Sequence, residues 1–276
     1  MNISKQWFPG LCLFIFSACT GQQIRYQSPR GYDLTRPETF VMPDVLHEIS
    51  GISFKDGNSD VLYTEQDEEG RVYYLRLGDK QARSVKFGKR GDFEDITLVG
   101  DLVVMLRSDG VLFSFPFSGI AAGDIHDTRE WTGLLPPGEY EGLYGDAATR
   151  LVYVLCKHCG GKGGGYVFRL DNDSTLRSAG DFNIDTKGLR GKSDRGFHPS
   201  ALTKNDRTSE WYILSSVNKL LVVTDVQWRV KAAYPLNPAV FNQPEGIAFD
   251  RDGNLYISNE GGVGGKGNVL KFTYRP

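Results

Sequence analysis

The chain has 276 residues, 40% hydrophobic and 12% aromatic, which is enough apolar side chain for a sizeable core and excludes disorder over most of its length. Its 32 Lys and Arg against 34 Asp and Glu leave a formal charge of −2, so it offers no broad attraction to phosphate backbones and nucleic acid is excluded as a general partner. With 33 glycines, 13 tyrosines and 16 phenylalanines, it favours β structure rich in turns over a helix bundle.

At the N-terminus Lys5 precedes an apolar run from Trp7 to Ala18, too short for the roughly 20 residues of a membrane-spanning helix. The run ends Phe16-Ser17-Ala18-Cys19, which resembles the lipobox of bacterial lipoproteins. That resemblance implies that residues 1–18 are a signal peptide and that Cys19 is lipidated, anchoring the chain to a membrane of the bacterial cell envelope and facing the periplasm. An ordinary secretory signal with an incidental cysteine is the alternative. Residues 19–35 are expected to be a lipidated tether.

From residue 36 onward one short pattern recurs five times: Glu48-Ile49-Ser50-Gly51-Ile52, Asp92-Phe93-Glu94-Asp95-Ile96, Glu139-Tyr140-Glu141-Gly142-Leu143, His198-Pro199-Ser200-Ala201-Leu202 and Gln243-Pro244-Glu245-Gly246-Ile247. The spacings of its third position are 94 − 50 = 44, 141 − 94 = 47, 200 − 141 = 59 and 245 − 200 = 45, close to the period of a propeller blade. Each motif is followed by a turn and a second apolar run, then a third: Arg71 to Leu77, Val111 to Phe115, Tyr166 to Leu170, Leu220 to Thr224 and Val269 to Tyr274. The turns Lys55-Asp56-Gly57-Asn58 and Asp250-Arg251-Asp252-Gly253-Asn254 carry residues that tolerate positive φ. The fifth repeat ends at Pro276 after three strands, while Thr39-Phe40-Val41 has no partner. The reading is an all-β fold, a five-bladed β-propeller over residues 36–276, closed by an N-terminal strand. A β-sandwich would not return one motif at near-constant period.

In such a ring the inner strands begin, and the second strands end, on one face. That face gathers Glu48, Ser50, Asp92, Glu94, Glu139, Glu141, His198, Ser200, Gln243 and Glu245 from the motif, and Glu65, Asp67, Arg107, Cys156, Ser215, Asn259 and Glu260 from the second strands. So many carboxylates need a cation, Arg107 or bound protons to neutralise them. Glu94, Glu141 and Glu245 share one motif position and are the candidate ligands of a metal; hard oxygens suit calcium. The alternative is that these glutamates accept backbone hydrogen bonds between blades. The remaining cysteines, Cys156-Lys157-His158-Cys159, form a disulfide or a reduced structural pair more readily than half a zinc site or a redox centre.

Together Glu-Ile-Ser-Gly-Ile, the aspartate of Glu65-Gln66-Asp67, Asp92-Phe93-Glu94, Tyr140-Glu141-Gly142, Leu214-Ser215-Ser216 and the run from Gln243 to Glu260 resemble the SdiA-regulated protein family over nearly all of residues 39–274. The resemblance implies an envelope-associated five-bladed propeller, distantly like NHL-repeat proteins, with a calcium site and no settled activity. His198 departs from it, standing where an acidic residue is expected. The glycine-rich loops Gly160 to Gly165 and Gly261 to Gly267 precede strands, not helices, and so read as rim loops and not phosphate loops. The insertion around Asn183 to Phe197, with Lys187, Arg190, Lys192 and Arg195, reads as a surface loop or a lid beside the acidic face. Two functions follow: an anchored module binding a small molecule or protein on this face, or a metal-dependent hydrolase of lactones or phosphate esters at the axis.

Overall fold

The computed structural model describes residues 26–159, 163–189 and 196–276. The signal peptide, Cys19 and the basic residues Arg190, Lys192 and Arg195 of the insertion lie outside the described residues. Each motif opens a sheet of four antiparallel strands. The first blade holds β2 (Ile49–Ser53), β3 (Leu62–Gln66), β4 (Arg71–Leu75) and β5 (Arg83–Lys86), preceded in the chain by β1 (Glu38–Val41). The second holds β6 (Phe93–Val99), β7 (Leu102–Arg107), β8 (Leu112–Pro116) and β9 (Arg129–Trp131). The third holds β10 (Glu139–Asp146), β11 (Leu151–His158), β12 (Gly164–Leu170) and β13 (Leu176–Asn183), and the fourth β14 (Ala201–Asn205), β15 (Glu210–Ser215), β16 (Leu220–Thr224) and β17 (Val230–Pro235). The fifth is composite: β18 (Pro244–Phe249), β19 (Leu255–Asn259) and β20 (Asn268–Phe272) take β1 as their outer strand. Thr39 stands opposite Leu270 and Phe40 opposite Val269, so the molecule is the five-bladed propeller that the repeat predicts, with the predicted closure.

Local chemistry sets the turns. Asp56 and Gly57 take φ of 52° and 69° in the first blade, and Gly253 takes 81° in the fifth, where a Cβ would also run into the Arg207 side chain. Gly164 and Gly165 are not part of a rim loop; they lie within β12, where a Cβ on Gly165 would strike the Phe182 ring at 2.7 Å. Close packing, and not flexibility, requires glycine there.

The core lies between blades. Five hydrophobic clusters each draw on two neighbours: Leu106 and Leu112 with Tyr140 and Val154, for example, or Tyr212 and Leu221 with Ile257 and Phe272. Between the third and fourth blades Trp228 stacks on Phe182 at 3.9 Å and on Trp211 at 4.4 Å. Each large side chain so buried stabilises the ring by about 1.5–3 kcal/mol.

The stretch 19–35 is not a free tether throughout its length. Tyr32 and Leu34 are buried among side chains of the fourth and fifth blades. The Tyr32 hydroxyl donates to the Gly253 carbonyl at 2.8 Å and accepts from the Asn205 amide at 3.2 Å. Leu34 N–H donates to the Ser28 hydroxyl at 2.8 Å, and Arg275 N–H to the Gly31 carbonyl at 2.8 Å. Packing therefore reaches back at least to Ser28, because two apolar side chains in this polar segment find a groove.

The acidic mouth of the channel

Four of the five inner strands carry a register shift at the motif: between Ile49 and Ile52, Phe93 and Asp95, Tyr140 and Gly142, and Pro244 and Gly246. A bulge leaves a residue unpaired and re-aims its side chain. In three blades that residue is Glu94, Glu141 or Glu245. In the fourth blade β14 begins only after the motif's third position, at Ala201, which pairs with Leu214, and Ser200 N–H donates to that same Leu214 carbonyl at 2.9 Å. The next motif position is small, or is used as a bridge. Gly51 leaves the space into which Asp95 fits, and Asp95 accepts from Leu143 N–H at 2.6 Å and Ile96 N–H at 2.8 Å. The inter-blade acceptor role considered for the glutamates is filled by Asp95, while Glu65 acts within the first blade, its Oε1 accepting from Gly51 N–H at 2.7 Å.

The charges of Glu141 and Glu245 act on Glu94, and that of Glu141 acts on Glu245. Burial, and then the Glu141 charge, push Glu94 up to about 9 and Glu245 to about 8. Burial raises Glu141 to about 7 against the pull of Lys157, and raises Glu260 to about 7 with help from Asp67 and Glu48. Asp67, raised to about 6 by burial and by Glu48, completes the group. The cation at this mouth is one that the sequence reading passed over: the Lys157 ammonium donates to Glu141, and to Glu139 at 3.2 Å. Two features bring it there. β11 runs eight residues, to His158, and Lys157 follows directly on Cys156, which the strand-end rule had already placed on this face.

The other expected residues divide by what they touch. Arg107 does not neutralise the mouth: its guanidinium folds back on Asp109 with two bonds of 2.9 Å, because a carboxylate two residues away is the nearer partner. Glu139 holds His158 at 2.8 Å, and the His158 ring lies 4.7 Å from that of His198. Gln243 donates to Glu260 at 2.5 Å, and Asp92 accepts from Ser108 at 2.5 Å. Ser200 donates to the Pro244 carbonyl at 3.0 Å, Ser258 to the Ser50 carbonyl at 2.6 Å, and Ser215 to the His198 carbonyl at 2.5 Å. These serines tie blades and loops together. Asn259 is buried and donates to Asn268 at 3.0 Å. Among the described residues three buried oxygens, Glu65 Oε2, Asp67 Oδ1 and Asn259 Oδ1, have no hydrogen-bond partner.

Beside the axis a cavity of about 300 Å³ is lined by Glu141, Lys157, His198, Ser200, Lys219 and Glu245, among others. Lys219, which donates to the Asn242 carbonyl, is held below the usual lysine range by burial. A larger cavity, about 530 Å³, opens around Thr97, Asp146, Lys204 and Asp250. Its acids are engaged: Asp146 lies 3.6 Å from Lys204, and Asp250 accepts from Asn254 and Tyr256.

Calcium, expected at Glu94, Glu141 and Glu245, requires six to eight oxygens around one point. Among the described residues no three His, Cys, Asp or Glu side chains can share a metal ion, and Glu141 already receives an ammonium. In this arrangement the three glutamates do not fit a common ion.

Raised carboxyl values fix the sign of a pH dependence. The folded chain keeps protons on Glu94, Glu245, Glu141 and Glu260 that the unfolded chain has released above about 4.5. Their contribution to stability is therefore full at acidic pH and is lost as pH rises toward 9. Melting temperature is expected to fall by roughly 10 °C between pH 5 and pH 9, and Glu94→Gln should flatten that slope. A profile rising over the interval would show that the mouth is neutralised by something other than bound protons.

The fold and this mouth define a class: a five-bladed β-propeller whose channel opens between bulged, carboxylate-bearing inner strands. Residues 185–263 match the SdiA-regulated family, a span that contains the fourth and fifth motifs and the whole run from Gln243 to Glu260. No curated protein sequence matches the chain. Among solved structures, glutaminyl cyclase of Myxococcus xanthus is similar at 14% identity, with 87% of this chain and 96% of that one covered and a TM-score of 0.58. A luciferin-regenerating enzyme is similar at 11% identity, with 86% and 95% covered and a TM-score of 0.54. At such identities the likeness is one of fold.

Proposed function

We propose that this propeller is a lipid-anchored module of the bacterial cell envelope that binds a small molecule or a protein segment at the acidic mouth. One observation carries the binding role: polar side chains from three blades, Glu141, His198, Ser200 and Glu245 with Lys157 and Lys219, converge on a single cavity next to the axis. Concave pockets of roughly 300–1,000 Å³ with a few oriented polar groups are where proteins hold small ligands. Anchoring rests on Phe16-Ser17-Ala18-Cys19 at the end of the apolar run.

Binding is tested by melting-temperature screens of the wild type and of Lys219→Met against amines, carboxylates, sugars and short peptides. A compound that shifts the wild type and not the variant locates the site. Turnover of lactones or phosphate esters, abolished by Glu245→Gln, would replace this reading with the hydrolase. For the anchor, Cys19→Ser is expected to move the protein from the membrane to the soluble periplasmic fraction or to block its maturation. A variant that stays on the membrane with wild-type mobility would show that Cys19 carries no lipid.

A further inference from the structure

The repeated motif carries a second signature that the acidic mouth does not use. Its fifth position is aliphatic in every blade, as Ile52, Ile96, Leu143, Leu202 and Ile247. The position after it bears a hydroxyl in four blades, as Ser53, Thr97, Tyr144 and Thr203, with Ala248 in the fifth. The inner strands run away from the mouth, so these two positions line the cavity of about 530 Å³ at the far end of the channel. All five blades contribute to that cavity, whereas three contribute to the cavity beside the mouth. The five aliphatic side chains are buried, each in a different one of the clusters between blades. They give the far cavity an apolar wall that the core holds in place.

The polar groups of this cavity suit neither an anion nor a cation. Asp146 and Lys204, both largely buried, face each other at 3.6 Å, beyond hydrogen-bond distance. Asp146 Oδ1 accepts from Ala148 N–H at 2.9 Å and from Thr149 N–H at 3.2 Å, which leaves Oδ2 and the ammonium open to a third group. An anion approaching the pair meets Asp146 and a cation meets Lys204; a hydroxyl, donor and acceptor at once, satisfies both. The Tyr144 and Thr203 hydroxyls also line the cavity and have no hydrogen-bond partner among the described residues. The Tyr144 ring is held edge to face against Trp211 at 5.2 Å. Asp250 and Arg207, on the same lining, are spent on the turn from Asp250 to Asn254, and Asp56, Asp206 and Arg251 are exposed.

We propose that the far cavity is a second binding site, for a neutral polyhydroxy compound of the sugar class. The Lys204 and Asp146 pair and the Tyr144 and Thr203 hydroxyls hold its hydroxyl groups, and the aliphatic wall takes its C–H face. A pyranose carries hydroxyls around its edge and C–H groups on its faces, the same division of polar groups and apolar wall that this cavity shows. The site is separate from the mouth cavity and shares no lining residue with it.

The test is calorimetric titration of the full chain with glucose, N-acetylglucosamine and maltose, and with acetate and ethylamine as charged probes. At least one of the sugars is expected to bind saturably, and neither charged probe to displace it. Lys204→Met should weaken that binding at least about tenfold, and Tyr144→Phe should weaken it too. Lys219→Met, in the mouth cavity, should leave it unchanged. Amide hydrogen exchange of the wild type with the bound sugar should show protection over residues 143–149 and 202–207, and this carries the test should Lys204→Met not fold. Failure of all three sugars to bind would overturn the proposal, as would sugar binding that is lost in Lys219→Met and kept in Lys204→Met. Displacement of the sugar by acetate or ethylamine would overturn the neutral class of ligand. A ligand lost only in Lys219→Met bears on the mouth, so the two sites are judged separately.

Discussion

A chain that starts after Val41 is expected to lose its ring. The fifth blade then keeps only three strands, and the outer edge of β20, which pairs with Glu38 to Val41, is exposed to pairing with other molecules. The hydrogen bond from Met42 N–H to the Gly267 carbonyl, 2.8 Å, loses its support at the same time. Three truncations separate the contributions. Starting at Ser28 should leave melting temperature as in the full chain. Starting at Arg36 removes Tyr32 and Leu34 from the groove between the fourth and fifth blades, and burial of that size is worth about 3–5 kcal/mol, or roughly 10 °C. Starting at Met42 should give aggregation or no cooperative transition. Thermal denaturation followed by circular dichroism, with size-exclusion chromatography, reads all three; equal melting of the first and last would refute closure by β1.

Asp95→Ala should be among the most damaging single substitutions. The Asp95 carboxyl is buried, and it links the second blade to the third through Leu143 N–H while also accepting from Ile96 N–H. Alanine leaves both donors without that acceptor in a buried junction and opens a void against Gly51, a loss of about 2–4 kcal/mol. Asp95→Asn keeps an acceptor oxygen and should lose less than half as much. Urea denaturation of the three proteins measures it. A value for Asp95→Ala below about 0.5 kcal/mol would mean that the junction is held by apolar packing alone.

The propeller could be read from the chain because each blade repeats one physical problem, and Gln243-Pro244-Glu245-Gly246-Ile247 solves it much as Glu139-Tyr140-Glu141-Gly142-Leu143 does. The unpartnered Thr39-Phe40-Val41 likewise pointed to the closing strand. The mouth was legible only in part. Which residues come to that face follows from strand direction, but how they aim depends on the bulge at the motif's third position, and one chain read by period alone does not display a bulge. Pairing of charges was harder still. Arg107 and Lys157 both had acids within reach, yet Arg107 turns to Asp109, two residues away, and Lys157 to Glu141 on the neighbouring strand. Tyr32 and Leu34 were hidden for a different reason: two apolar residues in a polar stretch carry no periodicity, and only the groove that receives them gives them meaning.

The composite fifth blade also decides how the molecule would answer to force. A pull on the N-terminal segment is not spread over the ring. It meets first the Tyr32 and Leu34 plug and then β1, the one strand whose removal reopens the circle. Because β1 runs antiparallel to β20, with Glu38 opposite Lys271 and Val41 opposite Asn268, traction from its N-terminal end strips the ladder one rung at a time instead of shearing all rungs together. The plug is therefore a strain relief set ahead of the latch, and a load too weak to draw an aromatic ring out of its groove never reaches the seam of the propeller.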